Sequence, residues 1–209
     1  MTARTERRGR PTKAAADQMG AALFSAALAE FVESGLEGAT IDRIAERAGI
    51  HRSTIFRRFQ TKEALFVETV RGLKAEMVEG LERVLRQGGP PEERLVEAAR
   101  WYLGYRLTPS GKSAIAALMA EVPRHLELNE LLGPADSWRQ PIIDYFEHLN
   151  QIDYWRVDDV RTSAGLWATL CSQILLIISG VGESPQERID RVAQEAMKLF
   201  LYGSLPRGS

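Results

Sequence analysis

Cysteine is almost absent from these 209 residues: Cys171 stands alone, so no disulfide forms within the chain. Histidine is also scarce. His51, His125 and His148 lie far apart, and no His, Cys and carboxylate group has metal-ligand spacing. A glycine-rich phosphate loop and a nucleophile-elbow motif are both missing. No alternating strand pattern, internal repeat or low-complexity tract occurs. Neither sign of charge dominates, with 27 Lys and Arg against 28 Asp and Glu. The sequence therefore offers no catalytic residue, no metal site and no cofactor site. Met1–Pro11 is polar and arginine-rich, without the apolar stretch a secretion signal needs. The uncharged stretch Ala164–Gly182 carries Thr169, Ser172, Gln173, Ser179 and three glycines. A membrane span needs about 20 mostly apolar residues. The run reads instead as a helix buried on most sides, and the expected location is the cytoplasm.

What is present is unevenly placed. Residues 1–62 hold 11 Lys and Arg against 7 Asp and Glu, and the remainder holds 16 against 21. A basic head on an acidic body suits a DNA-binding module joined to a domain that should stay off DNA. Apolar residues recur at helical spacing throughout, which predicts an all-α fold. A first helix is expected over Lys13–Ser34, with Phe24, Ala27, Leu28 and Phe31 inward and Gly35 as its stop. Thr40 and Thr61 are placed to cap the second and fourth helices, the fourth running to about Leu85. Gln87–Pro91 is a break. Beyond it, helices are expected over about 92–107, 112–132 with a kink at Pro123, 135–150 with Pro141 starting or bending it, and 158–180. Ser184-Pro-Gln-Glu187 is a capping box that opens a last helix ending at Leu201 or Tyr202.

The most specific pattern lies between Thr40 and Lys62. Ile41, Ile44, Ala45 and Ala48 make one apolar helix face. Gly49 then ends that helix where a left-handed residue is wanted. Ile55 and Phe59 continue the core stripe on a second short helix, whose other side carries Arg52, Arg57 and Arg58. Two helices packed across such a turn form a helix-turn-helix, which lays its second helix in the major groove. The plainer reading of the three arginines is a solvated face paired with Asp42 or Glu46.

The stretch Ala48-Gly-Ile-His-Arg-Ser-Thr-Ile-Phe-Arg-Arg-Phe-Gln-Thr-Lys-Glu-Ala-Leu-Phe66 resembles the signature of TetR-type transcriptional regulators. That signature runs roughly A-G-V-S-x-G-T-L-Y-x-H/Y-F-x-S/N-K-E-x-L. The likeness is close over the first third of the chain and extends to the remainder only as helical layout and length. It implies about nine helices: a flexible basic arm (1–12), a helix-turn-helix domain (13–66), an effector-binding and dimerisation domain (67–203) and a tail (204–209). It also implies that base readers sit at the start of the third helix. There the Arg52 fork suits guanine O6 and N7, Ser53 and Thr54 offer short hydroxyls, and Arg57 reaches a base or a phosphate. Arg58, Lys62 and Thr40 map to phosphate-holding positions. Three residues depart from the pattern. Phe56 replaces Tyr and loses a phosphate hydrogen bond, although it keeps apolar contact with a thymine methyl. His51 replaces a Ser or Thr cap, and Ser53 replaces Gly. In the arm, Arg7, Arg8 and Arg10 form either a minor-groove contact or a solvated tail.

The body contributes Trp101, Tyr102, Tyr105, Trp138, Tyr145, Phe146, Trp155 and Trp167. Ordinary packing accounts for most such residues. The resemblance implies a pocket for a small apolar or amphipathic effector, with Trp101, Tyr105, Met119, Trp138, Tyr145 and Trp167 as wall and His125, Arg139 and Gln173 as polar points. Cys171 reads as a small buried hydrophobe. A homodimer is expected through the last two helices, with Ile189, Val192, Ala196, Leu199 and Phe200 meeting their copies. Together these give a nucleoid-associated repressor on a palindromic double-stranded DNA operator, released by an effector and with no membrane partner. A DNA-binding dimer without small-molecule input is the alternative, and a helical enzyme the remote one.

Overall fold

The computed structural model describes residues 13–109, 111–112, 137–177 and 184–202, with backbone alone for 13–17 and 172–177. Among the described residues every regular element is helical. In order they are α1 (Lys13–Gly38), α2 (Ile41–Ala48), α3 (Arg52–Phe59), α4 (Lys62–Leu85), α5 (Pro91–Leu107), a 3-10 turn (Ser137–Arg139), α6 (Gln140–Gln151), α7 (Val160–Ile177) and α8 (Pro185–Tyr202). The all-α expectation holds. The arm with Arg7, Arg8 and Arg10, and most of the helix expected over 112–132 with Met119, Pro123 and His125, lie outside the described residues. The described residues fall into two compact units that divide in sequence between Thr69 and Val70.

The first unit contains α1, α2, α3 and the start of α4. Its core joins Leu23, Ala27 and Phe31 of α1, Ile44 and Ala45 of α2, Ile55 and Phe59 of α3, and Leu65 and Phe66 of α4. Phe31 and Phe66 meet edge to face at 5.1 Å. Burying one such side chain stabilises by about 1.5–3 kcal/mol. Leu23 is fully inward, whereas Phe24 is half-buried with its ring 6.0 Å from Phe59. By length and composition the segment Gln18–Gly38 is apolar enough to cross a membrane, but its Leu23–Ala27–Phe31 face is buried within this unit. The expected stop at Gly35 is a break in geometry (φ 68°, ψ 173°), after which one more turn continues to Gly38. Such a backbone is almost exclusive to glycine.

Two chemical devices join α2 to its neighbours. At its start the Arg43 amide donates to Thr40 Oγ1 at 3.3 Å, the expected cap. At its end Gly49 is left-handed (φ 64°, ψ 31°). The Ile50 amide then returns to the Ala45 carbonyl at 3.0 Å, closing the turn that leads into α3. α4 is capped by Thr61, whose Oγ1 accepts from the Ala64 amide at 3.1 Å.

In the second unit α8 packs on α5 and α7, and α6 packs on α7. Ala164, Trp167, Ala168 and Cys171 form the buried stripe of α7 at the i, i+3, i+4, i+7 spacing. Ser184 and Glu187 make the expected reciprocal box, with the Ser184 amide donating to Glu187 Oε2 at 2.8 Å and the Glu187 amide to Ser184 Oγ at 3.3 Å. Pro141 stands in the first turn of α6, so it starts that helix rather than bending it. Asp159 accepts from the Thr162 amide at 2.9 Å and hydroxyl at 2.6 Å at the start of α7. Those bonds hold its carboxyl below the usual range. Ile189, Val192 and Ala196 do not face outward as expected, because the core of their own unit buries them. Among the described side chains, the large apolar ones exposed on these helices are Leu199 and Tyr202 on α8 and Leu166 on α7.

Candidate nucleic-acid interface

α3 is short and amphipathic. Ile55 and Phe59 anchor it in the core, which turns Arg52, Ser53, Phe56, Arg57 and Arg58 toward the exterior and leaves Thr54 half-buried. His51 stands at its N-cap position with extended backbone and makes no side-chain cap bond. The Thr54 amide reaches the His51 carbonyl at 2.9 Å, and the other first amides of α3, without a side-chain cap, are open to an external acceptor. An anion such as a phosphate suits that position.

The basic residues differ in how they are held. Arg52 donates from Nη1 to Asp42 Oδ2 at 3.1 Å, and its guanidinium lies 4.9 Å above the Phe56 ring. The pairing with Asp42 that the sequence left open is thus present. Arg58 folds over the Phe24 and Phe59 rings at 5.4 and 5.0 Å. The Lys62 ammonium donates to the Glu37 and Ala39 carbonyls at 2.8 and 3.1 Å, so it ties α4 to the end of α1. Thr40 uses its hydroxyl oxygen as the α2 cap.

One residue of this unit was not singled out in the sequence. Glu30 of α1 is fully buried, with Arg43 Nε at 3.1 Å and Arg47 Nε at 3.4 Å from its carboxylate. Arg47 also pairs with Glu33, and that contact holds the Glu33 carboxyl below its ordinary range. The signal was available: Glu30 falls in phase with Leu23 and Ala27 on the inward face of α1.

In the second unit the expected effector residues divide among three places. Trp101 stacks on Tyr105 (5.4 Å) and lies over Gly80, where an added Cβ would meet the indole at 1.8 Å. The Tyr105 hydroxyl donates to the Leu73 carbonyl at 3.3 Å. Burial, reinforced by Glu76, pushes its pKa up to about 12. Trp138 instead stacks on Tyr102 at 5.3 Å, and Tyr102 is 5.9 Å from Trp167. Arg106 lies over Tyr102 and donates to its hydroxyl at 3.2 Å, while Arg139 lies 5.9 Å from the Trp138 ring. Trp167 is fully buried, and its Nε1–H has no acceptor among the described residues. Burial pushes both the Tyr102 phenol and the Cys171 thiol up. Tyr145 lies elsewhere, in an open groove of about 600 Å³ with Arg86, Pro141, His148 and Tyr154. Gln173 is on α7, where only the backbone is described. A second open groove, of about 720 Å³, is lined by Trp155, Leu166, Leu170, Leu199, Phe200 and Tyr202 among others. Among the described residues no group of His, Cys, Asp and Glu is arranged to hold a metal.

Known proteins share this arrangement. Residues 23–69 match the family of bacterial regulatory proteins, tetR family, and residues 93–203 match the C-terminal domain of AefR-like transcriptional repressors. A Bacillus subtilis protein described as the uncharacterized HTH-type transcriptional regulator YdgC is 25% identical over 203 residues, covering 90% of this chain and 93% of its own. The flavonoid-responsive regulator FrrA is similar in structure (TM-score 0.65), with 25% identity over 93% of this chain and all of its own. The transcriptional regulator FadR of Bacillus subtilis, solved with stearoyl-CoA, shares the fold at TM-score 0.65 and 15% identity, covering 89% of this chain and all of its own. A helix-turn-helix with a left-handed glycine turn, followed by a helical body that matches a repressor C-terminal domain, places the chain in the TetR family of DNA-binding transcriptional regulators.

Proposed function

We propose that this regulator is a ligand-responsive repressor that binds a palindromic operator as a homodimer, with residues 13–66 on DNA and 67–203 for effector and partner. The observation that carries the reading is the outward apolar surface of α7 and α8. Leu166, Leu199 and Tyr202 are 56%, 45% and 64% exposed on the two helices. An eight-residue recognition helix reads only a few base pairs, and a two-fold dimer supplies the second half-site. Arg52, Ser53, Thr54, Phe56 and Arg57 are the residues for base edges, with His51, Arg58, Lys62, Thr40 and the arm residues Arg7, Arg8 and Arg10 for the backbone.

The effector reading draws support from stearoyl-CoA in FadR and flavonoid response in FrrA. It also draws on the Tyr102–Trp138–Trp167 cluster with Arg106 and Arg139 beside it. An amphipathic ligand in the body favours a state in which the two recognition helices no longer match successive grooves. It does so only through differential affinity for the two states. The regulator acts in the cytoplasm on the nucleoid. The test is operator affinity at saturating stearoyl-CoA and at a saturating flavonoid. The reading expects one amphipathic probe to weaken DNA binding by about five-fold or more. Probes that bind and leave DNA affinity unchanged would favour the dimer without small-molecule input.

A further inference from the structure

We infer that Asp42 and Phe56 determine base specificity by holding Arg52 in one presentation, which rests on the reading of Arg52 as a base-contacting residue. Arg52 opens α3, Phe56 stands one turn later on the same face, and Asp42 comes from the first turn of α2. The guanidinium is held from two sides. Its Cζ lies 4.9 Å from the centroid of the Phe56 ring, and the Asp42 carboxylate lies 3.1 Å from Nη1. Asp42 engages one nitrogen, so the edge formed by Nε and Nη2 remains for a bidentate pair of acceptors such as guanine O6 and N7. An arginine without these supports freezes its own rotamers on binding, a cost of about two- to ten-fold in affinity per side chain. The arrangement is not there for stability, since Arg52 and Asp42 are 60% and 66% exposed and exposed pairs contribute little to folding.

Asp42 has a second consequence. A carboxylate beside the DNA-facing helix repels phosphate whatever the sequence. The account therefore assigns Asp42 a double signature: removing its charge strengthens binding to unrelated DNA while weakening the choice of base. A carboxylate acting only through its charge strengthens binding to every sequence alike and leaves base preference intact.

The experiment compares wild type, Arg52→Ala, Asp42→Ala and Phe56→Leu by selection from one random duplex pool at fixed salt. Each is then titrated with the wild-type consensus and a scrambled duplex of equal length. Arg52→Ala is expected to erase base preference at one symmetric pair of positions. Asp42→Ala, which removes both the charge and the acceptor for Nη1, and Phe56→Leu are expected to weaken preference at those same positions by about two- to ten-fold. Asp42→Ala is expected also to bind the scrambled duplex more tightly, with a melting temperature within a few degrees of wild type. If Asp42→Ala keeps the full preference at positions that Arg52→Ala loses, the positioning role is wrong and the Arg52 reading stands. If Arg52→Ala itself selects the wild-type motif, the Arg52 reading fails first.

Discussion

The two units present their chemistry in opposite ways. In the first, the side chains proposed to meet DNA are on the outside, and charge and capping hold them: Arg52 on Asp42, Arg58 on two rings, and α2 between Thr40 and Gly49. In the second, the residues expected to meet a ligand are divided, with Trp167 inside the packing itself and Tyr145 in an open groove. Trp167 is fully buried and Tyr102 nearly so. A surface site can change residue by residue without risk to the fold. A site made from the core cannot, so under the proposed function a ligand contact made by Trp167 is tied to stability.

Substitutions that separate site from core sharpen this contrast. Trp167→Ala should cost about 3–5 kcal/mol of unfolding free energy, because the cavity it leaves is lined by packed rings. Arg52→Ala should change it by about 0.5 kcal/mol or less. Denaturant titration of both variants tests this, and equal losses would erase the distinction between the units. Next in size is Glu30→Ala, the one change in the first unit expected to behave like a core mutation. Removing the buried carboxylate takes Arg43's partner away while Arg47 keeps Glu33, and because both arginines are partly exposed the loss should be about 2–3 kcal/mol rather than more. Gly49→Ala should cost about 1 kcal/mol from left-handed strain alone, and thermal unfolding would register it.

The smallest effect concerns pH. The Tyr105 phenol is raised to about 12 in the folded protein from an ordinary value near 10. The folded state therefore holds this proton more tightly than the unfolded chain. The contribution is complete below about pH 10 and is lost as pH rises through about 12. Stability measured across that window should fall in the parent and fall less in Tyr105→Phe.

The helix-turn-helix was legible because its signals are local. A period of 3.6, a cap at Thr40 and a left-handed glycine at 49 act within a few residues, and the structure reproduces them. The break at Gly35 and the Ser184–Glu187 box were legible for the same reason, whereas Pro141 left two readings open that the structure resolves as a helix start. Tertiary choices were harder to read. Trp101 and Tyr105 share a face one turn apart, whereas Tyr102 and Arg106 lie about 100° around α5. Spacing alone did not show that Trp138 joins the latter pair. On α8 the inward and outward stripes are both partly apolar, so Ile189, Val192 and Ala196 were placed on the wrong side. Glu30 was passed over because a lone carboxylate in an apolar stripe becomes tolerable only when Arg43 and Arg47 arrive from another helix.

The account's central claim is that α3 reads DNA sequence in pairs. Selection of full-length protein from a random duplex pool at physiological salt, followed by sequencing, tests it most directly. The account predicts a palindrome whose half-sites lie about one helical turn apart. Enrichment of A·T-rich sequence without symmetry, or of no sequence, would contradict it.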